Sequence, residues 1–192
     1  VLLKNEGGLL PLAPGHGRLA VIGALADDAL SALGSWRAQG KAEDVVTLLQ
    51  ALRAALGPGR IVFEPGASPE SDDLSGIDAA ARAARRADIV LLVLGETFNQ
   101  SGEARSRAEL DLPGAQEALA QAVMATGKPI VLILMGGRPM ALSEQVARIP
   151  AILATWLLGV EGGPAIVDVL LGASPGGRLP IGRSWARRSW TL

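Results

Sequence analysis

The residues best suited to chemistry lie in one segment, 95–113, which carries four carboxylates and two arginines. Carboxylates can act as general acids and bases, and an arginine can hold a carboxylate or a hydroxyl group through directional hydrogen bonds. Gly102 directly precedes Glu103, and a glycine lets the backbone bend or approach a ligand closely. Glu96 instead follows an apolar run directly and could organise the segment by accepting backbone hydrogen bonds. Connections of this length in compact domains are often functional.

Composition excludes several other kinds of site. The chain has no Cys and one His, which excludes disulfide scaffolds, thiolate zinc sites, Cys nucleophiles and any Ser-His-Asp triad not built on His16. Residues 34–41 have five residues between their glycines where a phosphate-binding loop needs four, and Ala42 follows where that loop needs Ser or Thr. We therefore expect neither a metal nor a cofactor.

Charge and hydropathy narrow the partners. The chain has 192 residues, and 18 Lys and Arg stand against 19 Asp and Glu for a net charge of −1, which gives no reason to expect nucleic acid as a partner. Mean hydropathy is +0.32, yet apolar runs such as 89–94 and 130–135 are far shorter than the roughly 20 residues of a membrane span. We expect a soluble domain with buried strands and no membrane partner.

Short apolar runs alternate with helical patterns along the chain. The runs that predict buried strands are 19–23, 61–63, 89–94, 130–134 and 151–156. Helices are predicted from about Val45 to Leu56, from Ile77 to Ala87, between Pro113 and Gly127, and between Pro164 and Gly172. This order predicts an α/β fold, a three-layer α/β/α sandwich with a mostly parallel sheet of about five to six strands.

The predicted fold brings the polar segments together. In open parallel sheets, ligands bind beyond the carboxyl ends of the strands. Segment 95–113 follows the central predicted strand, residues 136–139 follow the next strand, and residues 159–163 come after the last. We expect these connections to converge on one edge of the sheet. Residues 64–75, rich in Pro, Gly, Ser and Asp, are predicted to be a loop within the domain rather than a domain boundary.

A series of short motifs runs through nearly the whole chain. In order, the chain contains Val1-Leu2-Leu3-Lys4-Asn5-Glu6, Leu9-Leu10-Pro11-Leu12, Val21-Ile22-Gly23, Gly34-Ser35-Trp36, Gly95-Glu96, Ser101-Gly102-Glu103, Ser106-Arg107, Asp111-Leu112-Pro113-Gly114, Gln116, Thr126-Gly127-Lys128-Pro129, Gly137-Arg138-Pro139, Glu161-Gly162-Gly163 and Gly177-Arg178-Leu179-Pro180. With these motifs the chain resembles the C-terminal α/β sandwich domain of glycoside hydrolase family 3, the β-glucosidase and β-xylosidase family. Any one motif is weak evidence, but so many in the family's order make a chance match unlikely.

The resemblance implies part of a retaining, exo-acting β-glycosidase that cleaves β-linked glucosides or short oligosaccharides. Retention needs a nucleophilic carboxylate and an acid/base carboxylate about 5 to 5.5 Å apart. In the family, an Asp on an N-terminal (β/α)8 barrel is the nucleophile, and the C-terminal sandwich supplies the acid/base Glu from the loop after one of its strands. We expect Glu103 to be the acid/base residue, with Glu96 as the second candidate. An ion-paired, solvated loop is the non-catalytic alternative for Glu103.

Further residues are expected to line the substrate pocket. The resemblance suggests that Trp36 forms an aromatic wall for a sugar ring in the aglycone subsite, and a buried core position is its alternative. Arg105 and Arg107 are expected to bind substrate or a carboxylate. Arg138 could shape the pocket edge or hold neighbouring backbone carbonyls. Trp156 is expected in the core.

The resemblance also sets the expected domain organisation. Residues 1–181 form the α/β sandwich domain, residues 182–192 form an irregular and truncated tail, and the (β/α)8 barrel is absent from this chain. We expect the isolated chain to be inactive, because the nucleophile lies on that barrel. The compartment stays open: many bacterial members are periplasmic or extracellular, and a cytoplasmic location also fits the absence of Cys. A non-catalytic module that packs on a barrel or binds a sugar is the alternative function.

Overall fold

The computed structural model describes residues 1–13 and 15–179. Within them, six strands form one sheet: β1 Leu2–Asn5, β2 Leu19–Ile22, β3 Ile61–Glu64, β4 Ile89–Gly95, β5 Ile130–Met135 and β6 Ala151–Ala154. The α-helices are α1 Ala29–Leu33, α2 Leu48–Leu56, α3 Ile77–Arg86, α4 Gln116–Met124 and α5 Gly162–Leu171. Short 3-10 helices occupy several of the connections. The predicted tail, 182–192, lies outside the described residues.

The sheet has the strand order β1-β6-β5-β4-β2-β3. All neighbouring pairs are parallel except β1 with β6, which is antiparallel. Parallel neighbours need crossover connections, and the helices that supply them cover both faces of the sheet. The predicted three-layer α/β/α sandwich with a mostly parallel sheet is confirmed.

Alternating side chains of the central strands divide the core into two layers. Leu91 and Val93 of β4 point to the face that α2 and α5 cover. Leu92 and Leu94 point to the opposite face, which α3 and α4 cover. Every residue of β4 and β5 is buried, because both faces of these strands are covered. Strands buried on both faces consist of continuous apolar residues rather than alternating ones, which is why the sequence identified them.

The structure corrects several predicted boundaries. Helix α2 begins three residues after Val45, because Thr47 accepts a hydrogen bond from the Gln50 N–H at 3.2 Å while the Gln50 side chain accepts one from the Thr47 N–H at 3.0 Å. Strand β6 ends at Ala154 rather than at Trp156, whose backbone has a positive φ of 59° that a strand does not accommodate. Residues 65–76 form the predicted loop between β3 and α3.

Strand β1 was not predicted. It is four residues long and half-buried, and it pairs with Ala151–Ala154 at the edge of the sheet. None of the helices in the described part of the chain is long and apolar enough to cross a membrane.

Candidate functional site

Four connections meet beyond the carboxyl ends of the parallel strands. A β-carbon at Gly102, after β4, would lie 2.1 Å from Oγ of Ser35, in the connection that follows β2. A β-carbon at Gly137, after β5, would lie 2.0 Å from Ser101 Oγ and 3.5 Å from Cδ1 of Leu157, after β6. These glycines are needed because no side chain fits where the connections touch. The predicted convergence on one edge of the sheet is confirmed.

Glu96 lies at the base of this edge, directly after β4. Its side chain is completely buried and forms ion pairs with two arginines. Arg107 Nη1 lies 2.6 Å from Oε1, and Arg138 Nε lies 3.0 Å from the same oxygen and 3.1 Å from Oε2. The Glu96 backbone N–H donates to the Met135 carbonyl at 2.9 Å, which fixes the start of the connection against β5. Buried carboxylates need such partners to offset their lost hydration.

The two arginines use their other N–H groups to hold backbone carbonyls. Arg138 Nη2 donates to the carbonyls of Gln100 and, at 2.8 Å, Arg105. Arg107 Nη2 donates to the Asp111 carbonyl at 3.2 Å. Of the two roles that the sequence left open for Arg138, the structure shows the holding of neighbouring carbonyls. Arg107 binds a carboxylate, that of Glu96. Substrate binding by Arg107 stays a prediction.

Arg105 lies at the exposed side of the same segment. Its Nη1 donates to the Asn99 carbonyl and, at 3.0 Å, to Asn99 Oδ1. The guanidinium group thus closes a local loop between residues 99 and 105 and remains partly accessible. Contact between Arg105 and a substrate stays a prediction. A guanidinium group has five N–H donors, so donors remain for a substrate beside the bonds to Asn99.

Glu103 differs from Glu96 in its exposure and in its hydrogen bonding. Its side chain is exposed, and within the described residues it makes no hydrogen bond or ion pair. It lies in a turn that the Arg105 N–H closes onto the Gly102 carbonyl at 3.3 Å. The turn borders an open cleft of about 540 Å³, whose lining residues are Asn99, Gln100, Glu103, Ala104, Arg105, Ser106 and Arg107. All of them belong to one connection, so a ligand in the cleft would face solvent or another domain on its opposite side.

Trp36 lies beside this turn. Its indole Nε1 would be 3.9 Å from a β-carbon at Gly102, and 76% of the residue is exposed. The alternative of a buried core tryptophan is therefore wrong, and an aromatic surface near Glu103 is present. Trp156 is only half-buried and lies next to Arg138 and Gly136 in a small cavity, so its expected core position holds only in part.

Sequence reasoning missed several side chains that hold the segment in place. The amide of Gln116, at the start of α4, accepts from the Gly95 N–H at 2.8 Å and donates to the carbonyls of Gly95 and Pro113. Glu70, in the loop after β3, accepts hydrogen bonds from Thr97 Oγ1 and Asn99 Nδ2. Gln116 was visible only as part of the motif series, and no feature of the sequence links Glu70 to a segment 27 residues away.

The loop that carries Glu70 is ordered by its own polar groups. Asp73 accepts hydrogen bonds from the backbone N–H of Ser75 at 2.9 Å and from its hydroxyl at 2.8 Å, and these bonds lower the pKa of the Asp73 carboxyl. Glu161 lies at the N-terminus of α5, without a capping hydrogen bond from its side chain. Among residues 1–13 and 15–179, no group of three His, Asp or Glu side chains could hold a metal ion.

An α/β sandwich with a long polar connection beyond its strand ends belongs to the class of α/β domains that place ligand-binding loops at the carboxyl edge of a parallel sheet. Residues 1–189 match the family described as the glycosyl hydrolase family 3 C-terminal domain. The chain belongs to this family.

Curated relatives are glycosidases. A periplasmic β-glucosidase of Salmonella typhimurium is 41% identical over an alignment that covers 94% of this chain and 26% of the relative. A β-xylosidase of Formosa agariphila is 35% identical with the same coverage. The crystal structure of a Listeria innocua β-glucosidase in complex with isofagomine is similar with a TM-score of 0.81 and 34% identity, over 91% of this chain and 24% of that one. The chain thus spans about a quarter of the length of these relatives.

Proposed function

We propose that this chain is the C-terminal domain of a retaining, exo-acting β-glycosidase of the β-glucosidase type, and that Glu103 is its acid/base residue. The observation that carries the proposal is the contrast between the two candidate carboxylates. Glu96 is buried and its oxygens face two arginines, whereas Glu103 is exposed on a turn at the site edge. An acid/base residue must reach the glycosidic oxygen, and of the two candidates Glu103 is the one whose carboxyl group is accessible to a molecule outside this domain.

The proposed reaction needs a second carboxylate, which we assign to an Asp on an N-terminal (β/α)8 barrel. In the first step, this Asp attacks the anomeric carbon, the glycosidic C–O bond breaks, and Glu103 donates its proton to the leaving oxygen. In the second step, the ionised Glu103 takes a proton from water. The resulting hydroxide character lets the water oxygen attack the anomeric carbon, and the Asp carboxylate leaves. The sugar keeps its β configuration, and Glu103 ends protonated as it began.

Trp36 and the arginines complete the proposed pocket. The exposed indole of Trp36 offers an apolar face against which the C–H groups of an aglycone sugar can pack. Arg105 lines the cleft and makes its bonds to Asn99 at the exposed side of the segment, and we assign it to hydrogen bonds with substrate hydroxyls. Arg107 lines the same cleft, and its bonds to Glu96 and Asp111 hold the cleft wall in place; we assign its remaining N–H groups to substrate binding.

The test uses a chimera, in which this chain replaces the matching quarter of the Salmonella β-glucosidase. Turnover is measured with 2,4-dinitrophenyl β-glucoside, which needs little protonation of its leaving group, and with phenyl β-glucoside, which needs much. Glu103→Ala should lower kcat/KM for phenyl β-glucoside by about 10²- to 10⁴-fold and that for the dinitrophenyl substrate far less. The second step also loses its general base, so kcat for the dinitrophenyl substrate should fall, and added azide should restore it because a small anion can attack the glycosyl-enzyme without a general base.

The control is Glu144→Ala, which removes another exposed carboxylate from the connection between β5 and β6 and should change neither rate. Equal losses on both substrates after Glu103→Ala would argue against the acid/base assignment. A folded wild-type chimera with no activity would favour a non-catalytic, barrel-packing or sugar-binding module.

We also propose a periplasmic location for the enzyme. A relative 41% identical to this chain is named as a periplasmic β-glucosidase, which supports the assignment. Release of the full-length protein by osmotic shock would agree with it, and retention with a cytoplasmic marker enzyme would contradict it.

A further inference from the structure

One buried carboxylate and two arginines hold the connection after β4 at three points. Glu96 forms ion pairs with both guanidinium groups, and these groups bind the carbonyls of residues 100, 105 and 111. Arg138 is the only one of the two arginines that comes from a different connection, the one after β5. Its side chain therefore links the connection after β4 to the connection after β5.

The two carbonyls that Arg138 binds lie on either side of Glu103. Gln100 precedes the turn and Arg105 closes it, and both carbonyls are bound by the same nitrogen, Nη2. Between them, Gly102 has a φ of 120° and Ala104 a φ of 57°. A residue with a β-carbon rarely adopts the conformation of Ala104, so the turn has to be held by contacts on both sides.

We propose that Arg138 is a positioning residue for Glu103, which fixes the direction of the Glu103 carboxyl by clamping both ends of its turn. This inference rests on the acid/base role proposed for Glu103. Glu96 supplies the buried negative charge that keeps the Arg138 guanidinium in place, with Nε directed to the carboxylate and Nη2 to the carbonyls. A lysine cannot reproduce this arrangement, because its single ammonium nitrogen lacks the planar fork that bonds to groups on two sides.

The experiment is a double-mutant cycle in the chimera with the two aryl glucosides. Arg138→Lys keeps a positive charge near Glu96 but loses the fork. A displacement of about 1 Å can cost about 100-fold in rate, so we expect Arg138→Lys to slow phenyl β-glucoside hydrolysis by about 10- to 100-fold and the dinitrophenyl substrate by less than about threefold. The same substitution in the Glu103→Ala background should change phenyl β-glucoside hydrolysis by less than about twofold, because the residue acts through Glu103.

The ratio of the two rates within one preparation does not depend on how much enzyme is folded, so partial unfolding cannot imitate the result. Arg148→Lys, an exposed arginine in the same connection, is the matched control and should leave the ratio unchanged. If Arg138→Lys does not yield folded protein, Ala104→Gly loosens the turn from its exposed side, and the same ratio should fall by several fold.

The outcomes separate the two proposals. If Glu103→Ala lacks the leaving-group dependence, the proposed acid/base role fails and the positioning role fails with it. If Glu103→Ala shows that dependence but Arg138→Lys slows both substrates equally, or slows them as much in the Glu103→Ala background, only the positioning role of Arg138 is overturned.

Discussion

Replacing Glu96 by Gln should destabilise the domain strongly. The substitution keeps the volume of the side chain and one hydrogen-bond acceptor, but it removes the negative charge between Arg107 and Arg138. Two guanidinium groups would then lie close together without the carboxylate that now pairs with both of them. Removing one partner of a buried ion pair costs about 3 to 5 kcal/mol, since the remaining charge is left without compensation.

The structure places the expected loss at the lower end of this range. Each arginine side chain is 19% exposed, so water can partly hydrate the freed charges, whereas Glu96 is at 0%. We expect a loss of about 3 kcal/mol. With a urea m-value of about 2 kcal/mol/M, the midpoint of equilibrium unfolding should fall by about 1.5 M. The midpoint is measured by far-UV circular dichroism on the purified chain.

The matched variant is Glu103→Gln, which makes the same chemical change at an exposed carboxyl that has no partner among residues 1–13 and 15–179. Its midpoint should stay within the equivalent of about 0.5 kcal/mol of the wild type. Equal midpoints for the two variants would refute the view that Glu96 anchors the segment.

In the chimera, azide should not restore turnover to Glu96→Ala. Restoration like that of Glu103→Ala would instead make Glu96 the acid/base residue.

Two further predictions concern the aromatic wall and the base of the segment. Trp36→Ala should change the free energy of unfolding by less than about 0.5 kcal/mol, because the residue is 76% exposed. It should raise KM for a cellobiose-like substrate about fivefold through the loss of about 1 kcal/mol of packing. An unchanged KM would show that Trp36 is not part of the site. Gln116→Leu should lower the free energy of unfolding in urea by about 3 kcal/mol, because the N–H and carbonyl of Gly95 lose their buried partner. Gln121→Leu, at an exposed position on the same helix, should leave the free energy of unfolding nearly unchanged. Equal effects of the two substitutions would contradict this account.

The strands that the sequence predicted over nearly their full length include the two central ones, whose burial is complete. Strands β4 and β5 are covered on both faces, so their sequences are continuous runs of apolar residues, which is the pattern that predicts a buried strand. Strand β1 escaped prediction because its four residues are only half-buried and include Lys4 and Asn5. Its position depends on pairing with β6, about 150 residues along the chain, and local sequence carries no record of such a pairing.

The sequence located the site edge, and the family resemblance ranked Glu103 before Glu96, but no pattern in the sequence showed how different the surroundings of the two carboxylates are. The length and charge of the segment after β4 identified it, and the rule of strand ends placed it beside the connections after β5 and β6. Glu96 and Glu103 are the same residue type seven positions apart. What separates them is Arg138, which reaches Glu96 from 42 residues away. A contact of that kind comes from the parallel pairing of β4 with β5, which no local pattern specifies.

The ion cluster also explains how residues 96–115 can form an ordered connection between β4 and α4. Fixing each backbone residue costs about 1 to 2 kcal/mol of conformational entropy, which a long polar loop cannot recover by burying apolar side chains. Here the carbonyls of residues 100, 105 and 111 are tied to arginines that share one buried carboxylate, so the connection is divided into short segments closed at a common point. The carboxylate of Glu96 is engaged in ion pairs with these two arginines. Within the described residues, the carboxylate of Glu103 makes no hydrogen bond or ion pair, so it is available for the proton transfer that we propose.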